Sequence, residues 1–211
     1  MERIVEPEIM TGAQQARSYH QNDRNQIKHL FKISYQTAKK TAPATLVDLG
    51  CGPGDLTYEI AEFHPNTKVT GIDNSSEMLS FAKTRDNLEF KQMPITEVTE
   101  NYARVISSLT LHHFHNPLDF WNSIKRIAPR DVFILDFLRP ESEEQLQETI
   151  AYREYLDEDF KKDFENSLRA CFTVDEIRQQ LAECNLDLTI VEVDQYHLKA
   201  GLVVIAGMVC K

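Results

Sequence analysis

Apolar residues recur along the chain with two different periods, and the switching between them predicts alternating strands and helices. Short runs rich in β-branched residues predict five strands, at residues 45–49, 68–72, 88–92, 103–109 and 131–137. Helical spacing of apolar residues predicts helices at 55–63 and 117–128. This alternation is typical of βαβ units, in which a mostly parallel sheet is covered by helices on both faces.

The two ends of the chain depart from this alternation. Residues 24–40 carry Ile27, Leu30 and Phe31 on one side of a predicted amphipathic helix, which Pro43 ends. Near the other end, Thr173 and Glu176 have the spacing of a capping box, and a helix is expected from there to about residue 183.

Two further strands, at 186–193 and 202–209, follow with no helix between them. Because only about eight residues join these two strands, they must be antiparallel. The predicted fold class is therefore α/β, with a Rossmann-like doubly wound sheet that is mostly parallel and whose last strand is antiparallel.

Length and composition favour a single domain, since 211 residues with 42% hydrophobic content suffice for one compact core. We expect residues 1–40 to form an N-terminal lid segment and helix, and residues 41–211 to form the main domain with a helical insertion at about 141–172. Aromatic residues among the charges of this insertion are typical of a helical cover that packs by one face, although a plain solvated helix is the alternative.

The formal net charge of −10 and the dispersed basic residues disfavour nucleic acid as a partner. The four cysteines contain no CxxC pair, as expected for reduced thiols and not for a disulfide framework. No run approaches the roughly 20 apolar residues that span a bilayer, and the first residues show no targeting pattern. We expect a cytoplasmic protein, a monomer or a homodimer, that does not bind membranes.

A glycine-rich loop, GCGPG at residues 50–54, joins the first predicted strand to the first crossover helix. Glycines there allow a tight turn and let a ligand lie against bare backbone, and the helix start favours an anionic group. The spacing is one residue shorter than in the dinucleotide fingerprint G-x-G-x-x-G, which weighs against NAD. A structural turn without a ligand is the alternative.

Asp73 and Asn74 follow the second predicted strand. A carboxylate at the carboxyl end of that strand accepts hydrogen bonds from two ribose hydroxyls in other nucleoside-binding sheets. Asp73 is therefore a candidate ribose ligand, with Asn74 beside it. The alternative is that the two residues only cap a helix that begins near Ser76.

The string VDLGCGPG at residues 47–54 resembles the first motif of class I S-adenosylmethionine-dependent methyltransferases. Later segments, 71–73, 105–107 and the final hairpin, are similar to the same family in the same order. The resemblance implies a sheet of seven strands with the last antiparallel, and S-adenosylmethionine as the cofactor. It places Asp48, Gly50 and Gly52, with Cys51 between them, against the methionine part.

The same resemblance assigns Asp73 to the ribose and Ser107, at the end of the fourth strand, to the vicinity of the cofactor's sulfonium. Many members of the family carry an acidic residue after the third strand to hold the adenine amino group. This chain reads Gln92-Met93-Pro94-Ile95 at that point. Adenine is then expected to be held by packing of Met93 and Ile95 and by the backbone around Pro94.

Methyl transfer requires alignment of acceptor, methyl group and sulfur, so few side chains are strictly needed. In the segment LHHFH at residues 111–115, His112 or His113 is the candidate base for an acceptor hydroxyl or ammonium. Structural hydrogen bonding is the alternative for both. No carboxylate or cysteine shares a ligand-like spacing with these histidines, so no metal is expected.

Three further side chains are candidates around the acceptor and the cofactor. Arg139 could pair with an acceptor carboxylate through its planar guanidinium, or with an acidic residue of the helix that follows. Tyr152 and His113 are candidates for acceptor binding. Tyr19 lies in a segment that also contains Met10 and is expected to close over the cofactor and face its sulfonium.

The resemblance implies a methyltransferase, and we expect it to act on an O, N or S atom of a small-molecule metabolite. The fourth strand is followed by Ser-Ser-Leu-Thr at 107–110 and not by an Asn/Asp-Pro-Pro-aromatic motif, which argues against glutamine or exocyclic amine methylation. The alternatives are a methyltransferase acting on protein or tRNA, and a non-catalytic protein that senses S-adenosylmethionine.

Overall fold

The computed structural model describes residues 1–6, 12–21, 25–38, 41–127, 129–152, 157–193 and 201–209. Seven strands lie in these parts of the chain: β1 (Thr45–Leu49), β2 (Lys68–Asp73), β3 (Leu88–Gln92), β4 (Arg104–Ser108), β5 (Asp131–Phe137), β6 (Thr189–Val193) and β7 (Leu202–Met208). Eight α-helices are described with them: α1 (Ala13–Gln21), α2 (Asn25–Ala38), α3 (Asp55–Phe63), α4 (Ser76–Leu79), α5 (Pro117–Ile127), α6 (Glu143–Ala151), α7 (Glu158–Ala170) and α8 (Val174–Glu183).

The strands form one sheet in the order β3-β2-β1-β4-β5-β7-β6. Strands β1 to β5 are parallel to one another, and β7 is antiparallel to both β5 and β6. The predicted α/β fold with an antiparallel last strand is therefore confirmed. The strand order reverses between β1 and β4, which are neighbours in the sheet although β2 and β3 come between them in the sequence. In open α/β sheets, ligands bind beyond the carboxyl ends of the strands at such a reversal.

Apolar residues pack on both faces of the sheet because successive strand residues point to opposite sides. On β4, Val105 belongs to the core beneath α5 and α8, and Ile106 to the core beneath α2, α3 and α7. Trp121 of α5 is fully buried, and its indole nitrogen donates a hydrogen bond to Gln180 of α8 at 2.9 Å. The helices thus hold the sheet rigid from both sides.

The capping box is present as predicted. The Thr173 hydroxyl accepts a hydrogen bond from the backbone of Glu176, whose side chain accepts one from the backbone of Thr173. The strand predicted from residue 186 begins only at Thr189, because the backbone N–H of Leu186 still turns back to Leu181 to close the helix end.

The N-terminal helix α1 packs between α7 and the segment that follows α4. Tyr19 lies against Phe160 of α7 with ring centroids 5.9 Å apart, and His20 stacks on Phe81 at 4.5 Å. The segment predicted as a helical insertion, about 141–172, contains α6 and α7, and Phe164 of α7 packs against Phe137 of β5. The contacts of Tyr19 and His20 hold α1 beside α7 and the segment that follows α4.

Several sequence-based expectations fall partly outside the described residues, among them those for Met10 and Cys210. The three described cysteines, Cys51, Cys171 and Cys184, are free thiols and buried. Among the described helices, none combines the length and the apolar character needed to cross a bilayer.

Candidate active site

A cavity of about 820 Å³ lies beyond the carboxyl ends of β1 to β4. The loops that follow these four strands supply one part of its wall, and residues from the N-terminal region, including Glu6 and Tyr19, supply another. A cavity of this size, at the point where the strand order of an α/β sheet reverses, is the expected position of a small-molecule site.

The glycine loop forms the base of the cavity between β1 and α3. The backbone N–H groups of Gly50 and Cys51 both donate to the carbonyl of Ile72, at 2.8 and 3.0 Å, which ties the loop to β2. Gly50 has a φ of +73°, and a Cβ atom there would lie 2.3 Å from the Thr110 hydroxyl oxygen. Only glycine therefore fits this position, and the loop leaves the backbone of Gly50 and Gly52 open to the cavity.

Asp73 joins the loop to the start of α4. Its Oδ2 accepts a hydrogen bond from the backbone N–H of Gly52 at 2.7 Å, and its Oδ1 accepts one from Ser75 at 2.9 Å. Burial raises the pKa of Asp73, against the opposing effect of these two hydrogen bonds. The residue that caps α4 is Ser75, whose hydroxyl accepts from Met78. Asp73 and Asn74 therefore line the cavity and are not the cap.

Three predicted cofactor ligands lie behind the cavity wall. Asp48 is 2% exposed and accepts a hydrogen bond from the Thr57 hydroxyl at 2.6 Å. Ser107 is fully buried and donates to the carbonyl of Leu49 at 2.7 Å, and Cys51 is also buried. At the end of β4, residues 108–110 line the cavity in place of Ser107.

The wall that follows β3 agrees only partly with expectation. Pro94, Ile95 and Thr96 line the cavity, together with Met78 from α4. Met93, which was expected beside them, packs instead against the hydrophobic core. This wall is therefore mainly apolar, as packing against a flat aromatic ring requires.

Two carboxylate–imidazole pairs lie side by side after β4, with the His112 and His113 ring centroids 4.3 Å apart. In the inner pair, His112 Nδ1 is 2.6 Å from Oδ1 of Asp136, and both residues are buried. Burial would lower the pKa of His112, but the charge of Asp136 raises it well above its ordinary value. In the outer pair, His113 Nδ1 contacts Oε2 of Glu6, and both residues line the cavity.

Glu6 reaches the cavity on an N-terminal strap, residues 1–6. The Arg3 guanidinium donates to the carbonyls of Ala170 at 2.6 Å, His112 at 3.1 Å and Phe114 at 3.0 Å. It also lies 4.1 Å above the ring of Phe172. The strap is therefore anchored to the segment after β4 and to the end of α7.

Two groups of described side chains could hold a metal ion. They are Glu6 with His112 and His113, and His112 with Asp136 and Cys171, and in each group the ligand atoms lie within 4.8 Å of one another. The expectation of no metal rested on spacing along the chain, and Glu6 and Cys171 are far from the histidines in sequence.

Comparison with known proteins identifies the family. A family model described as a methyltransferase domain matches residues 40–189, which is more than half of the chain. The chain belongs to this methyltransferase family. Its seven-stranded sheet, with β7 antiparallel, is the fold of class I S-adenosylmethionine-dependent methyltransferases, so the resemblance seen in the sequence is confirmed.

The curated relatives match this methyltransferase over short segments. A trans-aconitate 2-methyltransferase of Streptomyces avermitilis is 58% identical over 40 residues, which cover 19% of this chain and 15% of the relative. A malonyl-[acyl-carrier protein] O-methyltransferase of Bacillus cereus is 25% identical over 111 residues, which cover 50% of this chain and 41% of the relative. The matches thus span less than half of either relative's length.

Solved structures share the fold over nearly the whole methyltransferase. The plantazolicin methyltransferase BpumL, in complex with a pentazolic desmethylPZN analog and SAH, matches with a TM-score of 0.69 at 16% identity, covering 92% of this chain and 89% of that one. A SAM-dependent methyltransferase from Aquifex aeolicus matches with a TM-score of 0.67 at 17% identity, covering 92% and 98%.

Two predicted acceptor-binding residues of the methyltransferase do not line the described cavity. Arg139 donates to Glu176 Oε1 at 2.6 Å and to the carbonyl of Cys171 at 3.0 Å, so it holds α8 to the end of α7. This is the alternative role expected for Arg139, although the acidic partner belongs to α8 and not to the helix that follows directly. Tyr152 is about half exposed at the end of α6.

The buried carboxyl of Asp48 makes the stability of the methyltransferase depend on pH. Burial raises its pKa to about 7, despite the hydrogen bond from Thr57. Between pH 4 and 7 the folded protein keeps a proton that the unfolded chain has released, so this residue lowers the free energy of unfolding as the pH rises. The full cost, reached above pH 7, is roughly 4 kcal/mol.

Asp48→Asn is therefore expected to stabilise the cofactor-free protein at pH 8 relative to wild type, and much less at pH 4. The amide oxygen can still accept from Thr57, while the charge is removed. Urea unfolding at the two pH values measures the difference. The exposed Asp86→Asn serves as the control, and an equal pH dependence in wild type and Asp48→Asn would contradict the prediction.

Proposed function

We propose that this methyltransferase binds S-adenosylmethionine at the glycine-loop side of the cavity and methylates an O, N or S atom of a small molecule. The observation that carries the proposal is the Asp73 carboxylate, which is bonded to the backbone of Gly52 and lines the same cavity as the bare loop. When bound, the cofactor supplies a methyl group on a positively charged sulfur.

The loop and the carboxylate fit an adenosyl group with a methionine part. Gly50 and Gly52 present backbone without side chains, and a Cβ atom at Gly52 would meet only Tyr19, at 3.9 Å. Asp73 offers oxygens to ribose hydroxyls, with Asn74 beside it, and Pro94 and Ile95 offer an apolar wall to adenine. BpumL, which has the same fold, was solved with SAH.

Tyr19 supports the position of the sulfonium. It lines the cavity within van der Waals distance of the position that a Gly52 Cβ would take, and it is carried by helix α1. An aromatic ring stabilises a nearby cation through its electron-rich face. We therefore assign the sulfonium to the space between the loop and Tyr19, in place of the earlier assignment to Ser107.

The remaining polar lining suits a small acceptor. Ser108, Thr110, His113 and His115 line the cavity with Glu6, and the cavity is large enough for a cofactor and a modest second molecule. The acidic chain and its dispersed basic residues disfavour RNA, which needs a cationic surface. A small-molecule acceptor is therefore favoured over tRNA.

The proposal predicts that S-adenosylmethionine binds in calorimetric titration and that NAD does not. With methyl-labelled S-adenosylmethionine and a cell extract, label is expected in the small-molecule fraction. Label found only in protein or RNA would contradict the choice of acceptor. Tight cofactor binding without any label would favour a sensor and contradict the proposed activity.

A further inference from the structure

The outer carboxylate–imidazole pair, Glu6 and His113, lines the cavity but is not among the residues proposed to hold the cofactor. His113 is about one-third exposed, whereas Glu6 is 9% exposed. A hydrogen bond also holds the carboxylate, because the Ser167 hydroxyl donates to its Oε1 at 3.1 Å. The carboxylate is therefore fixed, and the imidazole remains accessible.

The pairing distinguishes the two ring nitrogens of His113. Its Nδ1 is in contact with Glu6 Oε2, which leaves Nε2 as the nitrogen without this carboxylate. A carboxylate at Nδ1 stabilises the tautomer with its proton on Nδ1, so that Nε2 carries the lone pair. The same arrangement orients the histidine of hydrolytic triads and stabilises the imidazolium that forms when the base accepts a proton.

Glu6 is suited to stabilise such a positive charge. Its burial would raise the pKa of the carboxyl, but the hydrogen bond and charge of His113, followed by the charge of His112, lower it below its ordinary value. Glu6 is therefore ionised at neutral pH. The neighbouring pair of His112 and Asp136 shares the chemistry but is buried, so it cannot meet an acceptor.

We propose that His113 removes the proton of the methyl acceptor and that Glu6 is the positioning residue of this base. The inference rests on the proposed function. The acceptor heteroatom gives its proton to Nε2 of His113, and the electron pair of that broken bond forms the new bond to the methyl carbon. The electrons of the former bond to the methyl stay on the cofactor's sulfur.

This assignment also names the chemical class of the acceptor. A hydroxyl, ammonium or thiol has a proton to lose, whereas a carboxylate is already ionised at neutral pH and needs no base. A carboxylate acceptor would also need a cationic partner, and the described lining of the cavity contains acidic Glu6 and Asp73 but neither lysine nor arginine. We infer an acceptor that carries a titratable proton on its reacting atom.

The first test is independent of the acceptor. Nitrogen NMR of the imidazole rings in the full chain is expected to show His113 with its proton on Nδ1 at a pH where the ring is neutral. Glu6→Ala should remove this preference, and Glu2→Ala, on the same strap, should keep it. A proton on Nε2 in the wild type would overturn the inference and leave the proposed function standing.

The second test uses, as the source of acceptor, the small-molecule fraction of the cell extract that becomes labelled in the experiment above. Glu6→Gln is expected to lower kcat about 100-fold, with the KM for the acceptor and the Kd for S-adenosylmethionine unchanged within about threefold. Glu6→Asp should recover part of the rate. His113→Gln should lower kcat at least as much as Glu6→Gln, because the base itself is gone.

Three outcomes would overturn the inference. One is a wild-type kcat in His113→Gln. Another is a loss of cofactor affinity in Glu6→Gln that matches the loss of turnover, because the pair would then serve cofactor binding. The third is loss of turnover on chelation with recovery on added Zn²⁺, because Glu6 and the two histidines would then be metal ligands.

Discussion

Asp73→Asn is expected to raise the Kd for S-adenosylmethionine by about 100-fold or more. The carboxylate accepts from the backbone of Gly52 and Ser75, and it is the proposed acceptor for the ribose hydroxyls. An amide keeps only one accepting atom and removes the charge, and each hydrogen bond to a charged group contributes about 1.5–3 kcal/mol. Titration calorimetry measures the affinity directly.

The exposed Asp86→Asn provides a matched control for this change of charge, and it should bind the cofactor as wild type does. Thermal unfolding without cofactor separates loss of binding from loss of folding. A Kd within threefold of wild type in folded Asp73→Asn protein would remove the ribose assignment, and the cofactor site would have to lie elsewhere in the cavity.

Gly50→Ala is expected to lower the free energy of unfolding by about 2–5 kcal/mol. The positive φ costs about 1–2 kcal/mol in any residue with a Cβ atom. Forcing the Thr110 side chain away adds about 1–3 kcal/mol, as overpacking does in cores, because the new methyl group would lie 2.3 Å from its hydroxyl. Urea unfolding of the cofactor-free protein measures the sum.

Gly52→Ala is the matched comparison, because φ is also positive there but the nearest atom to the added Cβ is 3.9 Å away. This variant should show the backbone strain without the steric contact. Equal destabilisation by the two substitutions would mean that Thr110 moves aside freely. The packing of the glycine loop against Thr110 would then be less rigid than the short distance indicates.

The elements that sequence reasoning predicted correctly are those with local signals. The glycine loop, the α3 pattern after it and the capping box of Thr173 are each encoded within a few neighbouring residues. The antiparallel β7 was predictable because the short connection to β6 allows no other direction. Such features do not depend on contacts with distant parts of the chain.

The site residues that sequence reasoning misplaced depend on finer geometry. Side chains alternate along a strand, so an offset of one residue moves a side chain from the cavity to the interior. Ser107 is buried for this reason, whereas Ser108 lines the cavity. Asp48 follows the family motif closely, but its side chain turns to Thr57. Motif spacing alone does not show on which side of the backbone a group lies.

Glu6 was missed altogether, because nothing near it in the sequence signals its position. Its partners are His113, after β4, and Ser167, in α7, and only the folded chain brings these segments together. The strap forms neither a helix nor a strand, and its sequence shows no periodic pattern. It is held in place by hydrogen bonds from Arg3 to three backbone carbonyls in distant segments. Contacts of this kind leave no trace in composition or spacing.

The position of β7 has a consequence for how the protein is made. This strand follows β1 to β6 in the sequence, yet it lies between β5 and β6. While residues 202–208 are still inside the ribosome, the hydrophobic edge of β5 in the nascent chain has no hydrogen-bonding partner. Unpaired strand edges recruit other chains. Slow translation of the segment that contains β7 should therefore favour aggregation, and chaperones that shield exposed strands should raise the soluble yield.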